Sequence, residues 1–372
     1  MKQPLIRLAS LIALSVLFFS LSFLNISSGI AETNPAEAYK RYSVVFTDSF
    51  DTVISFIAFS ESEESFNATA SQVHDIFLYL HKLYDRYNSY EDEGIINVYT
   101  LNQRAKDGLV EVNPLLFSML QFAKSHYPET NGKTNIAMGA VLALWHNERE
   151  YATDHPDNAR LPDMDELKSA ALHMNIDDLI LDPDAMTVEF ADPEMQLDVG
   201  AVAKGYATEI VAEMLLAENV TSFIISAGGN VRVGDSPMDG RPNWGIGLQA
   251  PDGDVFAKSE IAETLFLSNC SVVTSGDYQR YYTVDGTRYA HLIDPDTLMP
   301  GNAFRSVTII TKDSGYADLL STAAFLMPYE DSRAFVESLD DVEGIWLFPD
   351  GSKTMTDGIA QHAQSQGAKN TK

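Results

Sequence analysis

A strand end, a glycine turn and a helix follow one another in LDVGAVAKGYATEIVAEML, residues Leu197–Leu215. The helix is indicated by apolar residues at helical spacing, namely Ala203, Ala207, Ile210, Val211 and Met214. The turn at Gly200 brings free backbone N–H groups and Lys204 to the helix start, a suitable place for a phosphate group. An ordinary strand–turn–helix with an exposed lysine fits the same pattern. A Walker A loop does not, because GxxxxGK followed by Ser or Thr is absent from this stretch.

Strands and helices are also mixed on either side of this stretch. Apolar and β-branched residues over Ser43–Ser60 suit strands, and an amphipathic helix is indicated by Val73, Ile76, Phe77, Leu80, Leu83, Tyr84 and Tyr87. Asn113 followed by Pro114 predicts a capped helix start. Residues 148–166 are polar and predict a surface excursion. With no repeat and no long low-complexity linker, we expect a single α+β domain over residues 42–348.

Both ends of the chain differ from this domain in composition. Lys2 and Arg7, an apolar run over Leu11–Leu24 and small residues up to Ala31 are typical of a secretory signal peptide. A retained N-terminal anchor and a buried helix are the alternatives, although the run is short for a membrane span. We therefore expect an extracytoplasmic protein, secreted, periplasmic or on the outer membrane face. It should carry no lipid at the signal end, where no cysteine occurs.

Polar sequence flanks the predicted domain. Residues 32–41 are expected to be a linker, and residues 349–372 a polar C-terminal tail. Ala368 is the only apolar residue after Ser365, so disorder is expected there.

Composition excludes several classes of protein. The 372 residues include 53 acidic and 25 basic side chains, for a formal net charge of −28. So acidic a surface repels phosphate backbones, which makes nucleic acid an unsuitable partner. The hydrophobic fraction of 45% is enough for a sizeable core. The single cysteine, Cys270, excludes a disulfide framework and multi-cysteine metal sites. An anionic ligand would need a metal ion or a local basic group.

A candidate metal site lies in YADLLSTAAFLM, residues Tyr316–Met327. Asp318 and Thr322 are four apart, so a helix places both oxygens on one face, with Ser321 beside them. Hard oxygen ligands of this kind suit Mg²⁺, which takes one or two protein carboxylates together with substrate phosphates. A helix-capping role for Asp318 fits the spacing equally well.

A candidate base and two glycine-rich turns occur in the second half of the chain. Residues Val272–Gly301 predict a β-hairpin with an Asp-Gly turn, and His291 ends its second strand. This histidine could be a general base or could simply be hydrogen-bonded in place. SAGGN, residues Ser226–Asn230, is a turn suited to close backbone approach. The motifs GxSxG, HExxH and GxGxxG are absent from the sequence.

Together these stretches resemble the ApbE family of FAD:protein FMN transferases over most of the chain after the signal. Four motifs occur in the family's order: D-L/V-G-x-x-A-K-G-Y-A at Asp198–Ala207, A-G-G at Ala227–Gly229, S-G-D-Y at Ser275–Tyr278 followed by H-L/I/V-I-D-P-x-T-x-x-P at His291–Pro300, and A-D-x-L-x-T-A at Ala317–Ala323. Each motif alone is weak, whereas the four in order are specific.

The resemblance implies a Mg²⁺-dependent transferase that works outside the cytoplasm. Such an enzyme splits the pyrophosphate of FAD, transfers FMN to a threonine hydroxyl of an acceptor flavoprotein and releases AMP. The acceptor implied is a subunit of a membrane redox complex or a secreted reductase.

The resemblance also assigns roles to residues. Asp318 and Thr322 match metal ligands, Ser321 stands where some members have a further ligand, and the backbone carbonyl of Ala201 matches the remaining protein ligand. His291 matches the proposed catalytic base, with Asp318 as the other catalytic residue. The implied contacts to FAD are Phe50, Tyr87, Ala137, Met138, Gly139, Asp198, Lys204 and Ile293.

The sequence departs from the family at several of these contacts. Phe50 replaces the methionine of an M-G-T motif, which reads F-D-T here. Ser226 replaces an asparagine before A-G-G, Met138 a valine and Ala140 a proline. These changes concern the FAD contacts more than the metal site.

Three other functions fit parts of the sequence. The same residues would serve a Mg²⁺-dependent FAD pyrophosphatase that gives free FMN and AMP. A non-catalytic extracytoplasmic FAD carrier would need neither Asp318 nor Thr322. An acidic secreted binding protein would need none of the four motifs.

Overall fold

The computed structural model describes residues 39–251 and 261–371. Its strands are β1 (Lys40–Ser49), β2 (Thr52–Ser60), β3 (Val110–Glu111), β4 (Leu179–Asp182), β5 (Thr187–Phe190), β6 (Phe223–Ala227), β7 (Asn230–Val233), β8 (Trp244–Gln249), β9 (Ile261–Leu267), β10 (Cys270–Gly276), β11 (Tyr281–Val284), β12 (Thr287–Ala290), β13 (Ser306–Thr311), β14 (Glu343–Leu347) and β15 (Lys353–Met355). Its α-helices are α1 (Glu63–Tyr84), α2 (Val98–Arg104), α3 (Pro114–His126), α4 (Gly139–Asp154), α5 (Met164–Ala170), α6 (Ala203–Ala217), α7 (Ser314–Phe325), α8 (Tyr329–Glu337) and α9 (Asp357–Ala360).

A mixed arrangement of strands and helices confirms the α+β prediction. Eight strands form the main sheet in the order β1-β2-β6-β7-β10-β13-β14-β15, and the neighbouring strands pair antiparallel. A three-stranded sheet of β3, β5 and β4 and the hairpins β8-β9 and β11-β12 complete the strands of the described residues.

Three helices build the core over this sheet. Helix α1 packs on β1, β2 and α6, and helix α7 packs on α6, β10 and β13. The apolar positions recognised in α1 are buried: Val73, Phe77, Leu80 and Leu83 are fully enclosed. The predicted start of α3 is confirmed, since the Asn113 side chain accepts a hydrogen bond from the N–H of Leu115, with Pro114 in the first turn.

Helices α6 and α7 cross in very close contact at Gly205. A Cβ atom there would lie 2.3 Å from the carbonyl oxygen of Ser314 and 2.5 Å from Cβ of Asp318. Glycine is therefore required in the first turn of α6, because any side chain would push the two helices apart. This crossing brings the Asp198–Ala207 motif against the Ala317–Ala323 motif.

Two local predictions differ from the structure. Tyr87 lies outside α1, because the carboxylate of Asp85 accepts hydrogen bonds from the N–H groups of Tyr87 and Asn88 and ends the helix. The polar segment 148–166 is not wholly irregular, since α4 continues through it to Asp154 and α5 begins at Met164.

The chain after Phe348, expected to be a polar tail, continues the fold. It adds β15 to the main sheet, and Ile359 and Ala363 are buried against the β8-β9 hairpin. The disorder expected from Ser365 onward is wrong at that residue, whose N–H and hydroxyl both donate to the buried carboxylate of Glu263. Strand pairing, burial of two apolar residues and hydrogen bonds to Glu263 therefore join this segment to the domain.

The predicted signal peptide and residues 32–38 of the predicted linker lie outside the described residues. Residues Lys40 and Arg41, the last of that linker, already belong to β1. Within residues 39–251 and 261–371, the helices are all too short or too polar to cross a bilayer.

Candidate active site

A cavity of about 750 Å³ opens where β2, β7 and β10 meet the starts of α4 and α6 and the β11-β12 hairpin. Most of the residues predicted for the site line it: Phe50, Tyr87, Met138, Asp198, Ala201, Lys204, His291, Ile293, Asp318 and Thr322. The tertiary structure thus brings together residues that are distributed over more than two thirds of the chain.

Ala137 and Gly139 support the cavity wall from behind. Ala137 is fully buried and donates its N–H to Oδ1 of Asn135, which lines the cavity in its place. The N–H of Gly139 donates to the carbonyl oxygen of Gln196 at 2.9 Å, and a Cβ atom there would lie 2.5 Å from that oxygen. This segment is therefore fixed against the residues that lead into Asp198.

Ser321, predicted as a further metal ligand, is fully buried behind the cavity surface. Its hydroxyl donates to the carbonyl oxygen of Asp318 and lies 2.9 Å from Oγ of Ser275. Ser275 lines the cavity, and its Oγ lies 3.3 Å from Oγ1 of Thr322. Of these two serines, the one that faces the cavity is Ser275, which belongs to the S-G-D-Y motif and had no predicted role.

Asp318 is a nearly enclosed carboxylate on α7, with 5% of its surface exposed. Burial raises its pKa, whereas the charge of Lys204 and hydrogen bonds from Gly205 and Asn230 act in the opposite direction. The N–H of Gly205 donates to Oδ2 at 2.9 Å. A carboxylate this poorly solvated favours a positive partner, and a hard cation is one that suits it.

Few charged side chains near Asp318 could serve as metal ligands. The described part of the chain contains no group of three or more His, Cys, Asp or Glu side chains that could hold a metal ion. A divalent cation at Asp318 would therefore depend on neutral oxygens such as the Thr322 hydroxyl, and on oxygens of the ligand itself. Mg²⁺ tolerates such an arrangement, because it commonly keeps one or two protein carboxylates and binds substrate phosphates.

Lys204 lines the cavity from the first turn of α6. Its charge lowers the pKa of both Asp318 and His291, so it is electrostatically coupled to both. Among residues 39–251 and 261–371, the ion pairs do not include Lys204, which leaves its ammonium group available to an anionic ligand.

Asp198 is held by a partly buried ion pair. Its Oδ2 accepts from Arg86 at 2.7 Å, and its Oδ1 accepts from the N–H of Gly200. Burial alone would raise the pKa of Asp198, but Arg86 and Gly200 outweigh it and the pKa is lowered. Arg86 also donates to the carbonyl oxygen of Gly139 and to Gln196. Sequence reasoning missed Arg86, which is 112 positions from Asp198 and has no local signal.

His291 is held as a neutral imidazole. Burial is the main cause that lowers its pKa to about 3, and the charges of Lys204, Arg280 and Arg149 add to it. Nδ1 lies 3.1 Å from the carbonyl oxygen of Arg280. A carbonyl can only accept, so Nδ1 carries the proton and Nε2 keeps its lone pair. The arrangement suits a proton acceptor.

Aromatic rings form another wall of the cavity. Tyr87, half-exposed at the rim, lies 4.8 Å from His146 between ring centroids, and Trp145 is roughly parallel to Tyr289 at 6.3 Å. Phe50 has a positive φ of 55° in the β1-β2 turn and donates its N–H to Nδ1 of His81. Flat, apolar surfaces of this kind suit a planar heterocycle.

The charge at the cavity differs from that of the whole chain. Five basic side chains line it, against four carboxylates: Arg86, Lys133, Arg149, Lys204 and Arg280 against Asp51, Asp85, Asp198 and Asp318. The sequence indicated Lys204 alone among these basic residues. Basic and acidic side chains are therefore nearly balanced at the cavity, although the whole chain has a net charge of −28.

Fold and site together define an α+β protein with a cavity lined by charged and aromatic side chains at the crossing of two helices. The ApbE family model matches residues 50–346, so this chain belongs to the ApbE family, as its motifs indicated. FAD:protein FMN transferase of Treponema pallidum (strain Nichols) is 32% identical over 282 residues, 72% of this chain and 75% of the relative. The protein of the same name from Klebsiella pneumoniae (strain 342) is 31% identical over 264 residues, 69% and 78% of the two chains.

Solved structures have the same fold. The crystal structure of the ApbE protein of Thermotoga maritima matches with a TM-score of 0.75 and 26% identity, covering 87% of this chain and 99% of that one. Flavin transferase ApbE from Vibrio cholerae matches with a TM-score of 0.70 over the same shares at 20% identity, a likeness of fold.

Proposed function

We propose that this protein is an FAD:protein FMN transferase that works outside the cytoplasm. The observation that carries the proposal is the juxtaposition of Asp318, Thr322, Lys204 and a neutral His291 at one cavity. Membership of the ApbE family and the shared name of the relatives support the same reaction. The signal-like pattern of residues 1–31 supports the location.

FAD is a suitable ligand for the cavity in size and chemistry. Pockets of 300–1,000 Å³ commonly hold small molecules and cofactors, and this one has about 750 Å³. The pyrophosphate would lie near Lys204 and the start of α6, where backbone N–H groups favour anions. A ring system would pack on the wall that includes Tyr87 and Trp145.

Asp318, Thr322 and the carbonyl oxygen of Ala201 would hold Mg²⁺. The donor set fits this ion, since it offers one buried carboxylate and neutral oxygens beside a phosphate-binding surface. When bound, the cation would supply positive charge that stabilises the phosphoryl oxygens and the departing AMP. Gly205 orients the carboxylate by donating its N–H to Oδ2.

His291 would take the proton from the acceptor. As the threonine oxygen of the acceptor bonds to the FMN phosphorus, the phosphoanhydride bond breaks, its electron pair leaves with AMP, and the hydroxyl proton passes to Nε2. A pKa of about 3 makes His291 a weak base in the free protein. The negative charge of bound FAD would offset Lys204, Arg280 and Arg149, and would raise that pKa toward the working range.

The acceptor is proposed to be a flavoprotein that presents a threonine, as a membrane redox-complex subunit or a secreted reductase. The test is mass spectrometry of such a protein after incubation with FAD, Mg²⁺ and this enzyme. A mass gain equal to FMN on a threonine is expected. Free FMN and AMP without any acceptor adduct would instead identify an FAD pyrophosphatase, and unaltered FAD a carrier.

A matched pair of variants connects the test to the site. Asp318→Asn should lower transfer by roughly 10²–10³-fold, the range for loss of one preorganised electrostatic group. Asp165→Asn removes a carboxylate that is 95% exposed on α5, and should leave transfer unchanged. Full activity of a folded Asp318→Asn protein would refute the metal assignment.

A further inference from the structure

Asn230 is a buried residue of the cavity wall whose amide oxygen is unsatisfied. Only 2% of the residue is exposed, and Oδ1 has no hydrogen-bond partner among the described residues. Its Nδ2 lies 3.5 Å from the carbonyl oxygen of Ala227, and the side chain also hydrogen-bonds to Asp318. The amide nitrogen is thus in use, while the oxygen beside it is not.

The backbone around Asn230 is fixed by its neighbours. It begins β7, paired with Ala227 on one side and Val273 on the other. The preceding turn requires glycine, because Gly228 has a φ of 54° and a Cβ atom there would lie 2.3 Å from Oγ1 of Thr52. The backbone of Asn230 is therefore held in place at the cavity wall.

A buried oxygen of this kind points to a missing ligand. Leaving a buried acceptor unpaired is destabilising, and such atoms in folded proteins normally find a donor, a water or an ion. The adjacent Asp318 only accepts hydrogen bonds when ionised, so it is no donor to Oδ1 of Asn230. The hydroxyl of Thr322 lies 3.3 Å from Oγ of Ser275. Asparagine carbonyl oxygens are ordinary ligands of hard divalent cations.

We propose that Oδ1 of Asn230 is a further protein ligand of the divalent cation at Asp318 and Thr322. The inference rests on the proposed function, and it gives the A-G-G-N turn a chemical role. It would supply an additional oxygen on the cavity wall, whereas the Ser321 hydroxyl lies against Ser275 behind the cavity surface. Asn230 thereby links the main sheet to the metal-binding helix.

The test measures cation binding without FAD and without turnover. Mn²⁺ is titrated into the full chain and free Mn²⁺ is followed by electron paramagnetic resonance, at about 0.15 M ionic strength to screen the acidic surface. Asn230→Leu keeps the size but removes the oxygen, and should weaken Mn²⁺ binding by about tenfold or more. Asn230→Asp keeps an oxygen and adds charge, and should tighten it. Asn67→Asp adds the same charge at an exposed position of α1 and should change nothing.

The variant Asp318→Asn separates the role inferred for Asn230 from the metal site of the proposed function. If it weakens Mn²⁺ binding while Asn230→Leu binds as the unmodified protein does, the role of Asn230 is refuted and the metal site of the proposed function stands. If neither variant changes binding, both assignments are wrong. Should Asn230→Leu fail to fold, as judged by circular dichroism, Asn230→Asp decides: tighter binding than in Asn67→Asp supports the inference, and equal or weaker binding overturns it.

Discussion

The backbone N–H of Gly205 donates to Oδ2 of Asp318 at 2.9 Å, and this contact joins the first turn of α6 to α7. Gly205 belongs to the Asp198–Ala207 motif and Asp318 to the Ala317–Ala323 motif, and the two residues are 113 positions apart. The contact orients the nearly buried carboxylate of Asp318 toward the start of α6. The crossing of the two helices is therefore the structural basis of the proposed metal site.

Gly205→Ala should destabilise the protein and impair Mn²⁺ binding together. The added methyl group would overlap the Ser314 carbonyl and Cβ of Asp318, and overpacking of this kind costs about 1–3 kcal/mol. Urea unfolding and Mn²⁺ titration measure the two effects. Gly245→Ala is the control, because its new methyl group would find only ordinary contacts on β8. Normal stability of Gly205→Ala would contradict the close crossing.

Arg86→Met should lower the free energy of unfolding by about 3 kcal/mol, because it leaves the partly buried Asp198 carboxylate without its cation. The double variant Arg86→Met/Asp198→Asn should recover part of this loss, since no unpaired charge then remains. Urea unfolding of both single variants and the double variant gives the coupling energy. Strictly additive effects would show that the ion pair does not hold the two segments together.

His291 should make the protein sensitive to acid. Its pKa is lowered to about 3 in the folded state, against about 6.5 for an unfolded histidine, so the unfolded chain binds more protons between those values. Stability due to the neutral ring is complete above about pH 6.5 and is lost progressively as pH falls toward 3. His291→Gln should therefore lose less stability than the unmodified protein between pH 7 and pH 5.

The comparison uses urea unfolding at both pH values. His155→Gln, at an exposed position after α4, serves as the control and should follow the unmodified protein. An identical pH dependence for His291→Gln and the unmodified protein would mean that His291 titrates normally.

Chelation should weaken FAD binding without abolishing it. A net charge of −28 disfavours an anionic ligand such as FAD, but five basic side chains line the cavity. We expect roughly tenfold weaker binding in excess EDTA, about the loss of one charge-assisted contact. Titration of flavin fluorescence measures it, with EDTA presaturated with Ca²⁺ and Mg²⁺ as the control. Equal affinity in both solutions would exclude a cation contact to FAD.

The sequence by itself determined the features that depend on neighbouring residues. Spacing of four placed Asp318 and Thr322 on one helix face, and Asn113 with Pro114 marked a helix start, because helical periodicity and capping act within a turn or two. Apolar spacing and turn signals placed Lys204 at the start of a helix and His291 at the end of a hairpin. Those residues line the cavity in the structure.

Only the tertiary structure decided how distant segments meet. Local spacing placed Ser321 beside Thr322, but packing against Ser275 turned it away from the cavity. The pairing of Arg86 with Asp198 and the approach of Asn230 to Asp318 join segments separated by 88 positions or more. Such contacts arise from the burial of whole helices and strands against one another. They cannot be inferred from the spacing of residues along the chain.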